Sequence, residues 1–241
     1  MQLPLSQAVF PRLIWFDQVD STNLELARLS TDSLDHFTAV VAGHQTLGQG
    51  RLGRSWQSQE GSSLSLSVFL RGPFKEPGWV NLLAALAVKR ALGQLGVSDA
   101  GIKWPNDVLV GGRKISGILS QLQPDGSIIL GIGLNLKQQK PELITATSLL
   151  EIGVSAELDQ VLAAIGDELR EIFAGDPEVS EEIKNYFQSA CITIGQQVRA
   201  ELPGGSELLG LASEIDSSGQ LVILTPEPVT LSAADVWHLR S

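Results

Sequence analysis

Three glycines and two arginines stand within seven residues of one stretch, Gly48-Gln49-Gly50-Arg51-Leu52-Gly53-Arg54, which runs on into Ser55-Trp56. Glycines let a backbone approach a ligand closely and turn its amides inward at an anion. Arginines add permanently charged, planar donors suited to phosphate or carboxylate. No Gly-Lys-Ser/Thr follows, so the stretch is not a Walker loop, and it does not open a helix, so it is not a dinucleotide fingerprint. By itself it reads equally as a flexible surface loop. The second candidate is Lys103-Trp104-Pro105-Asn106-Asp107. A lysine ending a strand beside a rigid proline can hold its ammonium in a pocket, where it neutralises a developing oxyanion or a phosphoryl group. Asp107 either holds Mg²⁺ or orders the loop as an Asx-type turn, and Pro-Asn-Asp alone is often only a turn.

These segments need elements to position them. Leu13–Val19 reads as a first strand running into Asp20-Ser21-Thr22-Asn23. Thr22 and Glu25 have capping-box spacing, and Leu24, Leu26, Ala27 and Leu29 supply the apolar stripe of a helix. Thr38–Ala42 is a short buried strand, and Ser63–Leu70 alternates as a half-buried one. Trp79–Leu95 is an apolar helix stopped at Gly96. Ile102–Trp104 is a strand cut by Pro105, and Val108–Val110, Gly111-Gly112 and Lys114–Leu122 form a hairpin. A strand at Ile128–Leu136 and helices at Asp159–Phe173 and Glu181–Ala190 follow. Beyond Cys191, four short strands (Gln197–Ala200, Leu208–Ile215, Leu221–Thr225, Val229–Val236) suggest a small antiparallel barrel. The boundary falls near Ala190, giving residues 1–190 and 191–241.

At 241 residues and 43% apolar content, a packed core is expected. No apolar run spans a bilayer, and MQLPLSQAVFPR lacks the order of a signal peptide. A single cysteine, Cys191, excludes an internal disulfide and fits a reducing cytosol. With only His36, His44 and His238 beside it, a structural zinc site is not expected. The net charge of −10 argues against general nucleic-acid binding. Charge is unevenly spread: Val40–Trp56 holds no acid, and Gly101–Gln121 sets Lys103, Arg113 and Lys114 against Asp107 alone. Basic islands in an acidic chain point to an anionic small ligand.

The glycine–arginine segment, KWPND about fifty residues later, an RK-x-x-G-I-L strand and a G-I-G-x-N strand together resemble the biotin–protein ligases, from Ser21-Thr22-Asn23 to the closing VWHLRS. The resemblance implies an α+β fold: a mixed sheet with flanking helices, like the class II aminoacyl-tRNA-synthetase/biotin-ligase catalytic domain, plus a C-terminal SH3-like barrel. It implies a cytoplasmic enzyme that joins biotin to ATP, with Mg²⁺, and passes the biotinyl group to a lysine of the biotin carboxyl-carrier protein of acetyl-CoA carboxylase. A monomer or a homodimer is expected. Lys103, Arg51 and Asp107 would be the catalytic set. Ser21, Thr22, Asn23, Gln45, Gly48 and Gly117 would serve biotin together with Lys103. Arg51, Arg54, Trp56, Asn106, Lys114 and Asn135 would serve ATP and the adenylate, with Gly131 and Gly133 giving adenine room. Asp107 would assist lysine transfer or hold the metal; Thr22 equally caps its helix. Arg54 and Trp56 would contact nucleotide or fix the loop. His44 reads as a bystander and Arg113 as part of a solvated turn.

Two departures from the family pattern stand out. Its loops usually read GRGRxGRxW, whereas Gln49 occupies the first arginine position here; a modest effect is expected because Arg51 and Arg54 remain. Some relatives carry an N-terminal DNA-binding domain, whereas about a dozen residues precede the first strand here, so a ligase without repressor activity is expected. The alternatives are a lipoate ligase or octanoyl transferase, a non-enzymatic sensor, and a peptide-binding role centred on the barrel.

Overall fold

The alternation Ser63-Leu64-Ser65-Leu66-Ser67-Val68-Phe69-Leu70 puts large and small side chains on opposite faces of one strand, and that asymmetry organises the molecule. A computed structural model describes residues 1–29, 34–57, 59–137, 145–173, 180–202, 205–232 and 234–239. The strand, β3 (Ser63–Leu70), lies inside a seven-stranded sheet of order β1-β2-β3-β7-β6-β5-β4. The others are β1 (Arg12–Val19), β2 (Thr38–Gln45), β4 (Gly101–Lys103), β5 (Asp107–Val110), β6 (Arg113–Leu122) and β7 (Ile128–Asn135). β1 and β2 pair in parallel and every other neighbour is antiparallel, so the sheet is mixed as expected.

Leu64, Leu66, Val68 and Leu70, with Leu130, Ile132 and Leu134 of β7, join the main core. Two helices, α3 (Gly78–Gln94) and α4 (Leu158–Phe173), pack on that side. The opposite face carries Ser63, Ser65 and Ser67, which pair with Asn135, Gly133 and Gly131. Only its far end is apolar: Phe69 and Ile129 meet Leu26 of α2 (Thr22–Arg28) in a small separate cluster. A row of serines and glycines therefore hollows the second face. β3 was expected to be half-buried, but all eight of its residues are buried, because the serines lie beneath α2 and the loop after β2.

The Gly111-Gly112 turn has φ of 55° and 74°, the left-handed pair that a two-residue hairpin requires. Helix α5 (Glu181–Ala190) starts at Ser180, whose Oγ accepts from Ile183 N at 3.2 Å. The C-terminal sheet has five strands rather than four: β8 (Gln197–Glu201), β9 (Glu207–Ile215), β10 (Leu221–Leu224), β11 (Val229–Leu231) and β12 (Asp235–His238). Their order, β11-β10-β9-β8-β12, splits the expected Val229–Val236 strand between two edges. Ala234 is buried at the crossing, where an extended strand could not serve both partners. No described helix is long and apolar enough to cross a membrane.

Two local expectations fail. Thr22 does not cap α2: Ser21 occupies the cap position, and no side chain closes it. The Thr22 hydroxyl is engaged instead by Ser67 and Gln45. A short helix not foreseen from the sequence, α1 (Pro4–Val9), has Pro4 in its first turn, where a missing N–H costs nothing. Asp159 of α4 accepts from Leu5 N at 3.0 Å, Ser6 N at 2.9 Å and Ser6 Oγ at 2.6 Å, satisfying the amides of that short helix. Burial pushes the Asp159 carboxyl up, but the bonds from Ser6 and Leu5 outweigh it and hold it below the usual range. A depressed carboxyl stabilises the fold above its unfolded pKa and loses that contribution as pH falls through its folded value. Asp159→Asn should therefore cost about 1–3 kcal/mol near neutral pH. In urea denaturation the deficit should shrink as pH drops below about 4.

Candidate active site

The loop after β2 is a narrow hairpin held by its own backbone. Trp56 N donates to Gly48 O at 2.8 Å and Gly50 N to Arg54 O at 2.7 Å, with a bridge between Gln49 and Ser55. Its tip is a 3₁₀ turn, Arg51–Gly53. Trp56 anchors the far side: a Cβ at Gly133 would lie 2.4 Å from the indole, and one at Gly117 3.2 Å. The space at Gly133, expected for adenine, thus holds the Trp56 ring, while Asn23 fills that at Gly131, 2.4 Å from a hypothetical Cβ.

Beneath the loop the hollowed face forms a cavity of about 890 Å³. Thr22 N donates to Gln45 Oε1 at 2.7 Å, which fixes the start of α2 to the end of β2. Asn23 takes a hydrogen bond from Ser67 Oγ at 2.5 Å. On the opposite wall, Lys103 ends β4, and Asn106 accepts from Arg51 Nη1 at 3.2 Å while donating to Ile118 O at 2.9 Å. The second terminal nitrogen of Arg51, Nη2, is buried without a partner among the described residues, and so is Trp56 Nε1. Lys114 Nζ lies 2.6 Å from Asp107 Oδ1 and 5.8 Å from the Trp56 ring centre. Asn135 donates to Thr147 O at 2.9 Å.

The barrel supplies the remaining wall through Ala234, Asp235, Val236 and Trp237. Asp235 pairs with Arg54, binding the loop to the C-terminal sheet. Trp104, fully buried, is held by the same part of the chain: its N–H donates to Thr193 Oγ1 at 3.1 Å and its indole to Gly219 O at 3.2 Å. His238 Nε2 lies 3.2 Å from the same Thr193 hydroxyl.

Among the described residues, four cations and two carboxylates line this cavity. Arg54 and Lys114 are paired with Asp235 and Asp107, which leaves Arg51 and Lys103 without a salt bridge of their own among the described residues. Burial pulls both below their ordinary values; Lys114 pulls Lys103 further down while Asp107 and Asp235 hold it up. Burial and the charge on Lys103 likewise push His238 down. The charge of such a site suits an anionic group at its centre and neutral polar groups at the Thr22–Asn23 end.

The model of the Biotin/lipoate A/B protein ligase family matches residues 15–138, more than half of the chain. The chain belongs to this family. The Biotin protein ligase C terminal domain matches residues 193–239. Among its relatives is the biotin–[acetyl-CoA-carboxylase] ligase of Mycobacterium tuberculosis, 37% identical over 92% of this chain and 87% of that one. A similar structure is the Aquifex aeolicus biotin protein ligase in complex with biotin and ATP. It has a TM-score of 0.83 and 33% identity over 96% of this chain and 100% of the other. The Leishmania major biotin protein ligase in complex with biotinyl-5-AMP has a TM-score of 0.65 and 26% identity, over 96% and 99% of the two chains.

In this ligase the structure gathers Ser21, Thr22, Asn23, Gln45, Arg51, Arg54, Trp56, Lys103, Asn106, Asp107, Lys114, Gly117 and Asn135 around one cavity. Gly48 stands behind its edge, buried against the backbone of Trp56, where a Cβ would come within 2.4 Å of Trp56 O. His44 does not line the cavity, and Arg113 pairs with Glu151, in keeping with the bystander and surface readings. Asp235, Trp237, Thr193 and His238 were missed as site neighbours. The closing DVWH segment was legible as a strand, but nothing local showed that it faces Lys103 and Arg54. Asp235→Asn should leave the melting temperature nearly unchanged, because the Arg54 partner is largely exposed. It should speed tryptic cleavage after Arg54 severalfold in the ligand-free protein.

Proposed function

We propose that Arg51 and Lys103 bring the carboxylate of biotin against the α-phosphate of ATP in the central cavity. The observation that carries the reading is the excess positive charge: two half-buried cations, with both carboxylates of the described lining already paired with other cations. The chain is a biotin–[acetyl-CoA-carboxylase] ligase, an ATP-dependent enzyme that biotinylates a lysine of a biotin carboxyl-carrier domain through biotinyl-5′-AMP. The C-terminal domain match favours biotin over lipoate.

In the first step a carboxylate oxygen of biotin attacks the α-phosphorus, forming the acyl–phosphate bond as pyrophosphate leaves. Cancelling the repulsion between the two anions is the work assigned to Lys103, with the free nitrogen of Arg51 on the same group. In the second step the acceptor lysine, as a neutral amine, attacks the acyl carbon and AMP departs. Asp107, within the influence of Lys103 and paired with Lys114, is suited to steer or deprotonate that amine. Ser21, Thr22, Asn23 and Gln45 are assigned the ureido ring, Gly117 the approach of the biotin chain, and Asn135, Asn106, Trp56 and Lys114 the nucleotide side. Gly48 is assigned the close approach of the loop on the biotin side, and Arg54 its closure.

Among the described residues no three His, Cys, Asp or Glu side chains cluster as metal ligands, and Asp107 is occupied by Lys114. The donor set thus suits Mg²⁺ arriving as the counter-ion of ATP rather than held in a protein cage. This favours the lysine-transfer role of Asp107 over the metal role. The division into 1–190 and 191–241, the carrier protein of acetyl-CoA carboxylase as acceptor, and a cytoplasmic setting that keeps Cys191 reduced complete the proposal.

Incubation with ATP, Mg²⁺, biotin and an apo carrier domain should add one biotinyl group by mass. Lys103→Ala should slow its appearance roughly 10²–10³-fold, as for removal of an oxyanion-stabilising donor. Lipoyl addition in place of biotinyl would overturn the reading. Because burial lowers the Lys103 pKa, adenylate formation should lose activity on the alkaline side below pH 10.5. Asp107→Asn removes a charge that holds that pKa up, so the limb should move to still lower pH.

A further inference from the structure

We propose that Gln49 is a positioning residue. It is the accepting end of a side-chain relay that runs from the buried floor of the biotin pocket to the glycine–arginine loop and couples occupancy of the pocket to closure of the loop. The relay has four members. Ser67 Oγ, fully buried, donates to Asn23 Oδ1 at 2.5 Å; Asn23 Nδ2 donates to Gln121 Oε1 at 3.1 Å; Gln121 Nε2 donates to Gln49 Oε1 at 3.3 Å. Gln49 also forms the bridge with Ser55 that closes the base of the loop, two residues from Arg51.

The direction of the relay is imposed from its buried end. Asn23 Nδ2 also reaches Leu119 O, at 3.4 Å, and a backbone carbonyl can only accept, so the amide group of Asn23 must point toward β6. Its oxygen then faces the Ser67 hydroxyl. Gln121 must accept from Asn23 with its oxygen, which leaves its NH₂ to face residue 49. At this solvent-facing position the side chain that meets Gln121 is therefore favoured as an acceptor. Gln49 is one; the arginine usual in the family offers donors alone and would meet another donor. Gln49 and Gln121 are thus a matched pair, and the substitution that reads as a lost charge in the sequence is an exchanged hydrogen-bond polarity in the structure. A ligand that orders Asn23 orders Gln121, and through it the loop that carries Arg51.

The inference rests on the assignment of the Thr22–Asn23 end to biotin, and one experiment separates the two. Biotin, added without ATP, should slow tryptic cleavage after Arg51 and Arg54. Gln49→Ala and Gln121→Ala should each remove most of that protection and weaken biotin binding roughly threefold to tenfold, the worth of one hydrogen bond. The double variant should be no worse than either, because both break the same chain. Gln49→Arg should lose protection to a similar degree. Adding Gln121→Glu should restore it, since a carboxylate accepts from Asn23 Nδ2 and from the arginine together. Tighter biotin binding in Gln49→Arg, or additive losses in the double alanine variant, would overturn the relay. Asn23→Ala is the control for the assignment: retained biotin binding there overturns the placement of the ring and the relay with it. Lost binding in Asn23→Ala with normal protection in Gln121→Ala overturns the relay alone.

Discussion

Two cations that form no salt bridge among the described residues, Arg51 and Lys103, are held half-buried in a chain whose net charge is −10. Removing these cations from water costs energy that Asp107 and Asp235, each paired with another cation, return only in part. The arrangement persists because the surroundings are built from backbone. Arg51 sits at the tip of a hairpin clamped by its own amides, and Lys103 ends a strand whose next residue, Trp104, is bonded on two sides.

The cavity that holds them is a product of strand alternation. On β3 and β7 one face carries leucine, isoleucine and valine into the main core, while the other carries Ser63, Ser65, Ser67, Gly131 and Gly133. Small residues at successive positions on one side of paired strands make a trough, and α2 and the loop after β2 roof it. Two of the glycines serve not empty space but neighbouring side chains, Asn23 and Trp56. These two fix, respectively, the polar end of the trough and the far anchor of the loop.

The C-terminal sheet belongs to the same construction. Asp235 holds Arg54, Thr193 holds the backbone of Trp104, and His238 stands beside both Thr193 and the field of Lys103. The barrel therefore acts as a wall of the site, with its last strand placed against the two segments that carry the chemistry.

Much of this was legible in the chain. The hairpin at Gly111-Gly112, the strand boundaries around β3 and β7 and the helix ending before Gly96 follow from local rules of glycine conformation and side-chain period. The glycine–arginine segment and Lys103–Asp107 read as candidates for an anion site, but each alone read equally as a surface loop or a turn, and it was their combination that resembled one family. Helix α1 escaped notice because its amides are satisfied by Asp159, more than 150 positions away. The split of the last strand was hidden because both halves have the same β-forming pattern and only their pairing partners differ. Thr22 was misjudged as a cap because its spacing to Glu25 is a local signal, whereas its actual partners, Ser67 and Gln45, lie on other strands. The sequence by itself determined which residue types the glycine–arginine and Lys103–Asp107 segments carry, and the family that their combination resembles. Only the tertiary structure decided which cations form no salt bridge among the described residues, which wall the barrel supplies, and that Gln49 accepts a hydrogen bond, because pairing and polarity are properties of neighbours in space.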